Sequence, residues 1–112
     1  MEKFYVVVRA DLPAGAQATQ ATHAAIAFCI AHRGYIPLAK WHADSNNLVL
    51  LAVSDERELD ELLAAVAEHV PVEWFHEPDF GDSLTAIAFP GTAETIRLVS
   101  SLPLALRVPL AA

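Results

Sequence analysis

Four polar residues lie close behind the first apolar segment of this chain, and their types could support acyl-transfer chemistry. Asp11 lies in a turn, and Gln20, Thr22 and His23 lie in the first turns of the helical segment that follows. The i, i+3 spacing of Gln20 and His23 places both side chains on one helix face. A histidine there could act as a general base or hold an oxyanion, and a glutamine could orient a carbonyl. The candidate site therefore has His23 as a catalytic residue and Asp11, Gln20 and Thr22 as substrate-binding residues.

Two of these residues also have a structural explanation that involves no substrate. A histidine in this position can be a buried side chain that bonds to a neighbouring strand or loop. Asp11 precedes Pro13, and aspartate stabilises such turns, so that the turn role is favoured for Asp11. For both residues the structural and the functional explanation stay open at this stage.

The first strand and the first helix position these residues. Residues 4–8 are a continuous run of β-formers, which predicts a strand buried on both faces. After a turn, a helix is predicted from Gly15 or Ala16 to about Arg33. Small residues occur on every side of this helix, which predicts that neighbouring elements approach it closely and that it has no wide solvent-exposed face. Cys29 is expected to be buried. A helix that begins at the carboxyl end of a buried strand offers free N–H groups, where α/β domains usually build their site.

Three further strands and two further helices are predicted along the chain. The strands are expected near 47–53, 72–76 and 84–89, the helices from Ser54 or Asp55 to Pro71 and from Gly91 to about Ser100, and polar loops at 40–47 and 77–83. Residues 48–53 are expected to be buried, and Ile96 and Val99 to point inward. The order βαβαββα predicts one α/β domain over residues 1–112, with a four-stranded mixed sheet and helices on both faces.

Composition narrows the classes of function. The chain has 112 residues and a net charge of −7, and its seven lysines and arginines form no run. Proteins that bind nucleic acid through phosphates usually carry a basic patch, so the charge disfavours such a partner. No apolar run reaches about 18 residues, so no membrane partner is expected. The single cysteine makes a cytoplasmic location the default, and the apolar tail with the alanine-rich helix permits a homodimer.

The first motif resembles a known family. The pattern V-V-R-x-D-L, a glycine-containing turn and then Q-x-x-H-A-A is similar to the start of the archaeal–eukaryotic type of peptidyl-tRNA hydrolase. The matching residues here are Val7, Val8, Arg9, Asp11, Leu12, Gly15, Gln20, His23, Ala24 and Ala25. The resemblance covers roughly residues 3–100, including the Pro90–Gly91 exit from the last strand. It implies the fold of that family and hydrolysis of the ester between a peptide and tRNA.

The resemblance also implies a set of site residues, with two departures. By resemblance, His23, Asp79 and Thr85 are catalytic, and Gln20 lines the site with them. The family has a lysine-rich turn before the first helix, one lysine of which is catalytic, whereas the turn here reads PAGAQAT. The family loop D-A-G-x-T is also shorter here. Asp79 and Gly81 are kept, and Thr85 corresponds more closely to the threonine that begins the family's last strand.

Three functions remain open on the sequence alone. The first is peptidyl-tRNA ester hydrolysis, with tRNA as a partner that the charge disfavours. The second is a binding or regulatory module that keeps the fold without the chemistry, and the third is hydrolysis of a small uncharged acyl or amide substrate. The lysine-free turn favours the second and third. The acidic loop with His76, Glu77, Asp79 and Asp82 matches no established metal motif, so that neither a metal nor a cofactor is expected.

Overall fold

Four strands form one mixed sheet in the computed structural model of the chain, which describes residues 1–107. The strands are β1 (Lys3–Arg9), β2 (Asn47–Val53), β3 (Glu73–Glu77) and β4 (Ser83–Pro90), and their order in the sheet is β2-β1-β4-β3. β2 pairs parallel to β1, and β4 pairs antiparallel to both β1 and β3. The carboxyl ends of β1, β2 and β3 therefore meet the amino end of β4 at one edge of the sheet.

Helices cover both faces of this sheet, as the sequence predicts. They are α1 (Ala14–Ala31), α2 (Ile36–Asp44), α3 (Glu56–Ala67) and α4 (Ala93–Val99). The central strand β1 divides the core, because Phe4, Val6 and Val8 pack with α1 while Tyr5 and Val7 pack with α3 and α4. The predicted α/β class, the four-stranded mixed sheet and the double-sided burial of β1 are confirmed. In residues 1–107, no helix is long and apolar enough to cross a membrane.

The predicted polar loop at residues 40–47 is wrong, because α2 occupies most of it. Pro37 lies in the first turn of α2, where its missing N–H group leaves no hydrogen bond unmade. Trp41 packs on Phe4 with ring centroids 5.5 Å apart, and its Nε1 donates to the carbonyl of Asn47 at 2.9 Å. Tertiary packing of one large aromatic side chain thus stabilises a short helix that its polar local sequence does not signal.

Three expectations about exposure are also wrong. One flank of α1 faces solvent, and Cys29 is exposed on it, because α1 packs mainly over β3 and β4. β2 is an edge strand, so Leu48 is exposed where a buried strand is expected. On the short helix α4, Val99 is buried but Ile96 is 41% exposed, because α4 turns Thr95 and Val99 toward the core and leaves the face with Ile96 in solvent.

The chain after α4 runs along the outer edge of β2. The N–H group of Ala52 donates to the carbonyl of Pro103 at 3.0 Å, and the N–H group of Ala105 donates to the carbonyl of Leu50 at 2.9 Å. The tail therefore satisfies backbone groups that an edge strand would otherwise expose. These contacts reach residue 105, and residues 108–112 lie outside the described part of the chain.

Candidate active site

Gln20 connects α1 to the ends of two strands at the carboxyl edge of the sheet. Only 2% of its surface is exposed. Its Nε2 donates to a carboxylate oxygen of Glu77 at the end of β3, at 3.1 Å. The hydroxyl of Thr85, which has no exposed surface, donates to Gln20 Oε1 at 2.7 Å. Gln20 and Thr85, both predicted from the sequence as site residues, are therefore in direct contact.

The hydrogen bonds in this group of three side chains follow one consistent orientation. The amide nitrogen of Gln20 donates to Glu77, and its amide oxygen accepts from Thr85. The carbonyl of Phe75 is a second acceptor near the Thr85 hydroxyl, at 3.2 Å. Both polar ends of Gln20 are thus committed to protein groups. Gln20 therefore links the end of β3 to the start of β4. Its amide group is not free to orient a substrate carbonyl.

A β-bulge explains how Thr85 reaches α1. Phe75 pairs with Ala86 and His76 pairs with Leu84, so Thr85 is an extra residue in β4. Leu84 packs with α3 and Ala86 packs with α1, and strict alternation would turn Thr85 away from α1. The bulge re-aims its side chain onto the α1 face. This displacement is what joins Thr85 to Gln20.

Arg9 and Glu56 hold the start of β4 from the opposite face of the sheet. Arg9 Nη1 donates to Ser83 Oγ at 3.1 Å and to the carbonyl of Leu84 at 3.2 Å. The carboxylate of Glu56, in the first turn of α3, accepts from the N–H group of Leu84 at 2.7 Å. The strand that carries Thr85 is therefore fixed on both faces of the sheet, which limits movement of its hydroxyl group.

Asp11 forms a bidentate ion pair with Arg9. Arg9 Nε and Nη2 donate to its two carboxylate oxygens at 3.0 and 2.9 Å. These hydrogen bonds hold the pKa of Asp11 below its ordinary value and raise the pKa of Arg9. The carboxylate of Asp11 orders the arginine that supports β4. The turn that contains Asp11 thereby gains a structural function, which agrees with the explanation that the sequence favours.

Asp11→Asn is expected to lower the free energy of unfolding by less than about 1 kcal/mol at pH 7, because the ion pair is partly exposed. The folded-state pKa of Asp11 lies below its unfolded value. Its contribution is therefore present above the unfolded pKa and is lost as the pH falls through the folded-state pKa. Urea titrations of both proteins between pH 7 and pH 2.5 measure this. A stability difference that stays constant down to the lowest pH would contradict the assignment.

His23 lies on the flank of α1 that faces β3, where its ring stacks on Phe75. The ring centroids are 4.3 Å apart and the planes differ by 9°. The residue is exposed, and neither ring nitrogen forms a hydrogen bond with any group in residues 1–107. The stack fixes the plane of the imidazole while leaving its nitrogens accessible. His23 is thus available for proton transfer. Because the residue is exposed, the alternative explanation of a buried structural histidine is excluded.

Asp79 lies in a 3₁₀ turn at Pro78–Phe80, directly after β3. Its side chain is exposed and follows Glu77, the partner of Gln20, by two positions. The loop is closed by His76, whose Nδ1 donates to the carbonyl of Asp82 at 2.8 Å, and by Gly81 and Asp82 in the left-handed conformation. Across residues 1–107, histidine, cysteine and acidic side chains form no group of three that could hold a metal ion.

Thr22 lies on the opposite flank of α1 from His23. Its hydroxyl donates to the carbonyl of Ala18 at 2.9 Å, one turn earlier in the helix. It lines a cavity between α1 and β2 that includes none of Gln20, His23, Asp79 or Thr85. The structure therefore brings Gln20 and Thr85 together and separates Thr22 from them. His23 lies on Phe75 in the middle of β3, and Asp79 lies in the turn directly after β3.

Four residues that contribute to this site were not predicted in their observed roles. Glu77 holds Gln20, Phe75 supports His23, and Arg9 and Glu56 support the start of β4. The alternation in β3 could have indicated the first two, because Glu73, Phe75 and Glu77 all contact side chains of α1 or of its C-terminal cap, His32. The role of Arg9 depends on contacts with residues 74 and 75 positions away, and no local pattern signals it.

Comparison with models of known protein families gives a match. A family model described as "Peptidyl-tRNA hydrolase PTH2" matches residues 2–102 of the 112-residue chain. The match includes every site residue described above. No curated protein sequence matches the chain significantly.

Proposed function

The chain belongs to the peptidyl-tRNA hydrolase PTH2 family, and on that basis we propose that it hydrolyses the ester between a peptide and the terminal ribose of tRNA. The activity would take place in the cytoplasm, where it would release tRNA and peptide from stalled translation products. The observation that carries the proposal, beyond the family itself, is the accessible imidazole of His23. It lies flat on Phe75, whose carbonyl oxygen is 3.2 Å from the Thr85 hydroxyl that donates to Gln20.

In this mechanism, His23 takes a proton from a water molecule as that water attacks the ester carbonyl. The carbonyl becomes a tetrahedral oxyanion, which needs hydrogen-bond donors. The N–H groups in the first turn of α1 are candidate donors. Pro13, at the N-cap, offers them no side-chain acceptor, and no acidic side chain lies in that turn. Collapse of the oxyanion breaks the ester bond, and the ribose oxygen takes the proton from the imidazolium. Asp79 is proposed to position the water or the ribose.

The charges around the site oppose binding of tRNA. Three carboxylates lie at the end of β3 and in the loop that follows it: Glu77, Asp79 and Asp82. The guanidinium group of Arg9 is paired with Asp11. Few phosphate contacts are therefore expected, and the salt dependence of the reaction should be shallow. This observation favours a second candidate function, hydrolysis of a small uncharged acyl or amide substrate by the same residues.

The test is a hydrolysis assay on N-acetylaminoacyl-tRNA and, in parallel, on the same acyl group esterified to a small alcohol. A lysine-bearing member of the family serves as the positive control. Hydrolysis of the tRNA ester well above background, with a preference over the small ester, supports the proposal. Faster hydrolysis of the small ester favours the second candidate. Hydrolysis of neither contradicts both and leaves a binding module.

Ala16→Lys is expected to raise kcat/KM on peptidyl-tRNA by about 10²-fold, since it restores a charged donor in the turn that lacks one. Ala16 is half-buried in the first turn of α1 and has no side-chain hydrogen bond to lose. Gln17, an alternative position on sequence grounds, is unsuitable because its Nε2 donates to the carbonyl of Leu12 at 2.7 Å and holds the turn.

The matched control for that variant is Ala31→Lys. It adds the same charge at an exposed position on the same helix, about 22 Å from residue 16 along the axis. A rate increase in the Ala16 variant alone, measured with a steeper salt dependence, supports a local effect. Equal increases in both variants would instead attribute the gain to net charge.

A further inference from the structure

One edge of the sheet is free of a pairing strand in the described part of the chain. In the order β2-β1-β4-β3, the two edge strands are β2 and β3. The chain after α4 covers the edge of β2 with backbone hydrogen bonds, whereas within residues 1–107 no segment pairs with the outer side of β3. An edge strand presents N–H and C=O groups that can receive a further strand. We call this feature the β3 edge.

α1 lies lengthwise over β3 and runs in the opposite direction. Three side-chain contacts between them follow one another in order: Gln20 with Glu77, His23 with Phe75, and His32, the C-terminal cap of α1, with Glu73. The proposed base therefore lies on the central residue of the strand whose edge is free. A strand that pairs with this edge lies about 4.8 Å from β3, so it passes close to the residue that supports the imidazole.

The opposite face of β3 carries an exposed aromatic side chain. Trp74 pairs with Ile87, which belongs to the part of the core on the α3 side of the sheet. Since α3 packs mainly over β4, it leaves Trp74 45% exposed. An indole at a sheet edge offers apolar surface to a side chain of an added strand. Backbone pairing beside such a surface binds an extended peptide with little dependence on its sequence.

Charge around the β3 edge favours a ligand without phosphate groups. Glu73 and Glu77 are the first and last residues of β3, and Asp79 and Asp82 follow in the next loop, in a chain with a net charge of −7. This field repels a polyanion, whereas a peptide backbone carries no charge. The substrate of the proposed hydrolase joins a polyanion to a peptide. Only the peptide part of that substrate matches the β3 edge.

We propose, on the basis of the proposed hydrolase function, that the β3 edge binds the peptide part of the ester substrate as an additional strand. The first turn of α1 and Asp79 both lie toward the Glu77 end of β3, which places the ester carbonyl there. The ester is on the last residue of the peptide, so the peptide runs parallel to β3, from Glu73 to Glu77. β3 has five residues, so a peptide of about four residues spans it.

Hydrolysis of two esters of the same tRNA tests the proposal. One carries N-acetylphenylalanine, and the other carries the same phenylalanine preceded by three alanines and an acetyl group. We expect kcat/KM to be about 10-fold higher for the longer acyl group, because each net hydrogen bond contributes a factor of about 2–10. Further alanines at the amino end are expected to add little, because they extend beyond β3.

N-methylation of the peptide separates backbone pairing from side-chain contact. In an ester of an eight-residue peptide, methyl groups on two successive amide nitrogens near the ester remove at least one N–H group that points to β3, because successive N–H groups of a strand point to opposite sides. Most of the 10-fold gain is expected to be lost. The matched control carries the same two methyl groups at the amino end of the same peptide, beyond β3, and is expected to keep the gain.

Trp74→Ala is expected to lower the ratio of kcat/KM for the longer ester to that for the shorter ester, because it removes the apolar surface beside the β3 edge. The matched control is Ile96→Ala, on α4, where the side chain is 41% exposed. It is expected to keep the wild-type ratio. Because both esters are hydrolysed by the same preparation, partial loss of folded protein cancels in the ratio. A wild-type ratio in Trp74→Ala would overturn the role of the indole.

A binding experiment distinguishes this proposal from the hydrolase function. The acetylated peptide of three alanines and phenylalanine, made as its C-terminal amide, is expected to slow hydrogen exchange of backbone N–H groups in residues 73–77. A chain that hydrolyses no ester but shows this protection would exclude the hydrolase and support the peptide-binding edge. Equal kcat/KM for the two tRNA esters, or equal losses from N-methylation at both ends, would overturn the proposal while the hydrolase function stands. Absence of the protection would also overturn it.

Discussion

His23→Ala is expected to lower kcat/KM for peptidyl-tRNA hydrolysis by about 10²–10⁴-fold, the usual contribution of a positioned general base. The reason is structural as well as chemical. The imidazole is stacked on Phe75 at 4.3 Å and has both nitrogens accessible, and the stack limits the ring to one plane. Removing the ring removes the proton acceptor, while the exposed position on α1 predicts little change in stability.

The control for this variant is His69→Ala, which removes an exposed histidine that follows α3, on the other face of the sheet. It is expected to keep wild-type kcat/KM. Phe75→Leu provides a second comparison, because it keeps the imidazole and removes the aromatic surface that orients it. We expect it to lower kcat more than it raises KM. A His23→Ala protein with wild-type activity would exclude the proposed base.

Thr85→Val is expected to lower the free energy of unfolding by about 1–3 kcal/mol, although the two side chains have nearly the same shape. Among residues 1–107, the substitution removes the only donor to Gln20 Oε1, which lies 2.7 Å from the Thr85 hydroxyl, and Gln20 is buried. A buried acceptor without a donor keeps the full cost of its lost hydration. The expected result is a lower midpoint of urea unfolding with an unchanged m-value, measured by tryptophan fluorescence.

Gln20→Met should cost less than Thr85→Val, because the freed hydroxyl of Thr85 can turn to the carbonyl of Phe75, which lies 3.2 Å away. The half-buried carboxylate of Glu77 can then bind water in place of the Gln20 amide. Combining both substitutions should give a protein more stable than Thr85→Val alone, because no buried acceptor is left unpaired. A double variant whose losses simply add would show that the hydrogen bond is not the cause.

Local signals in the sequence determined the main elements. The β-former run at residues 4–8 predicted the central strand, because continuous apolar character is what burial on both faces requires. Ser54 or Asp55 was predicted to begin α3, and the carboxylate of Asp55 accepts from the N–H group of Glu58 at 2.9 Å. These features depend on neighbours within a few positions, so the sequence alone carries them.

The candidate site was predictable in its composition and only partly in its arrangement. The spacing of Gln20 and His23 predicted one helix face for both; they lie on α1, with Gln20 buried and His23 exposed. The family resemblance named Thr85. The sequence did not indicate that Gln20 is a buried strut, since its partners Glu77 and Thr85 lie 57 and 65 positions away. It also did not indicate the bulge at Thr85, which arises from the register between β3 and β4.

The tertiary structure alone decided which flanks are covered. The alanine-rich α1 suggested close contact on every side, but it packs over β3 and β4 and leaves Ile26 and Ile30 in solvent. α2 formed where a loop was expected, because Trp41 packs on Phe4. Sequence periodicity reports which residues can be buried, whereas the order of the strands determines what is available to bury them. That order is fixed by pairings between distant segments, and local propensity carries no information about it.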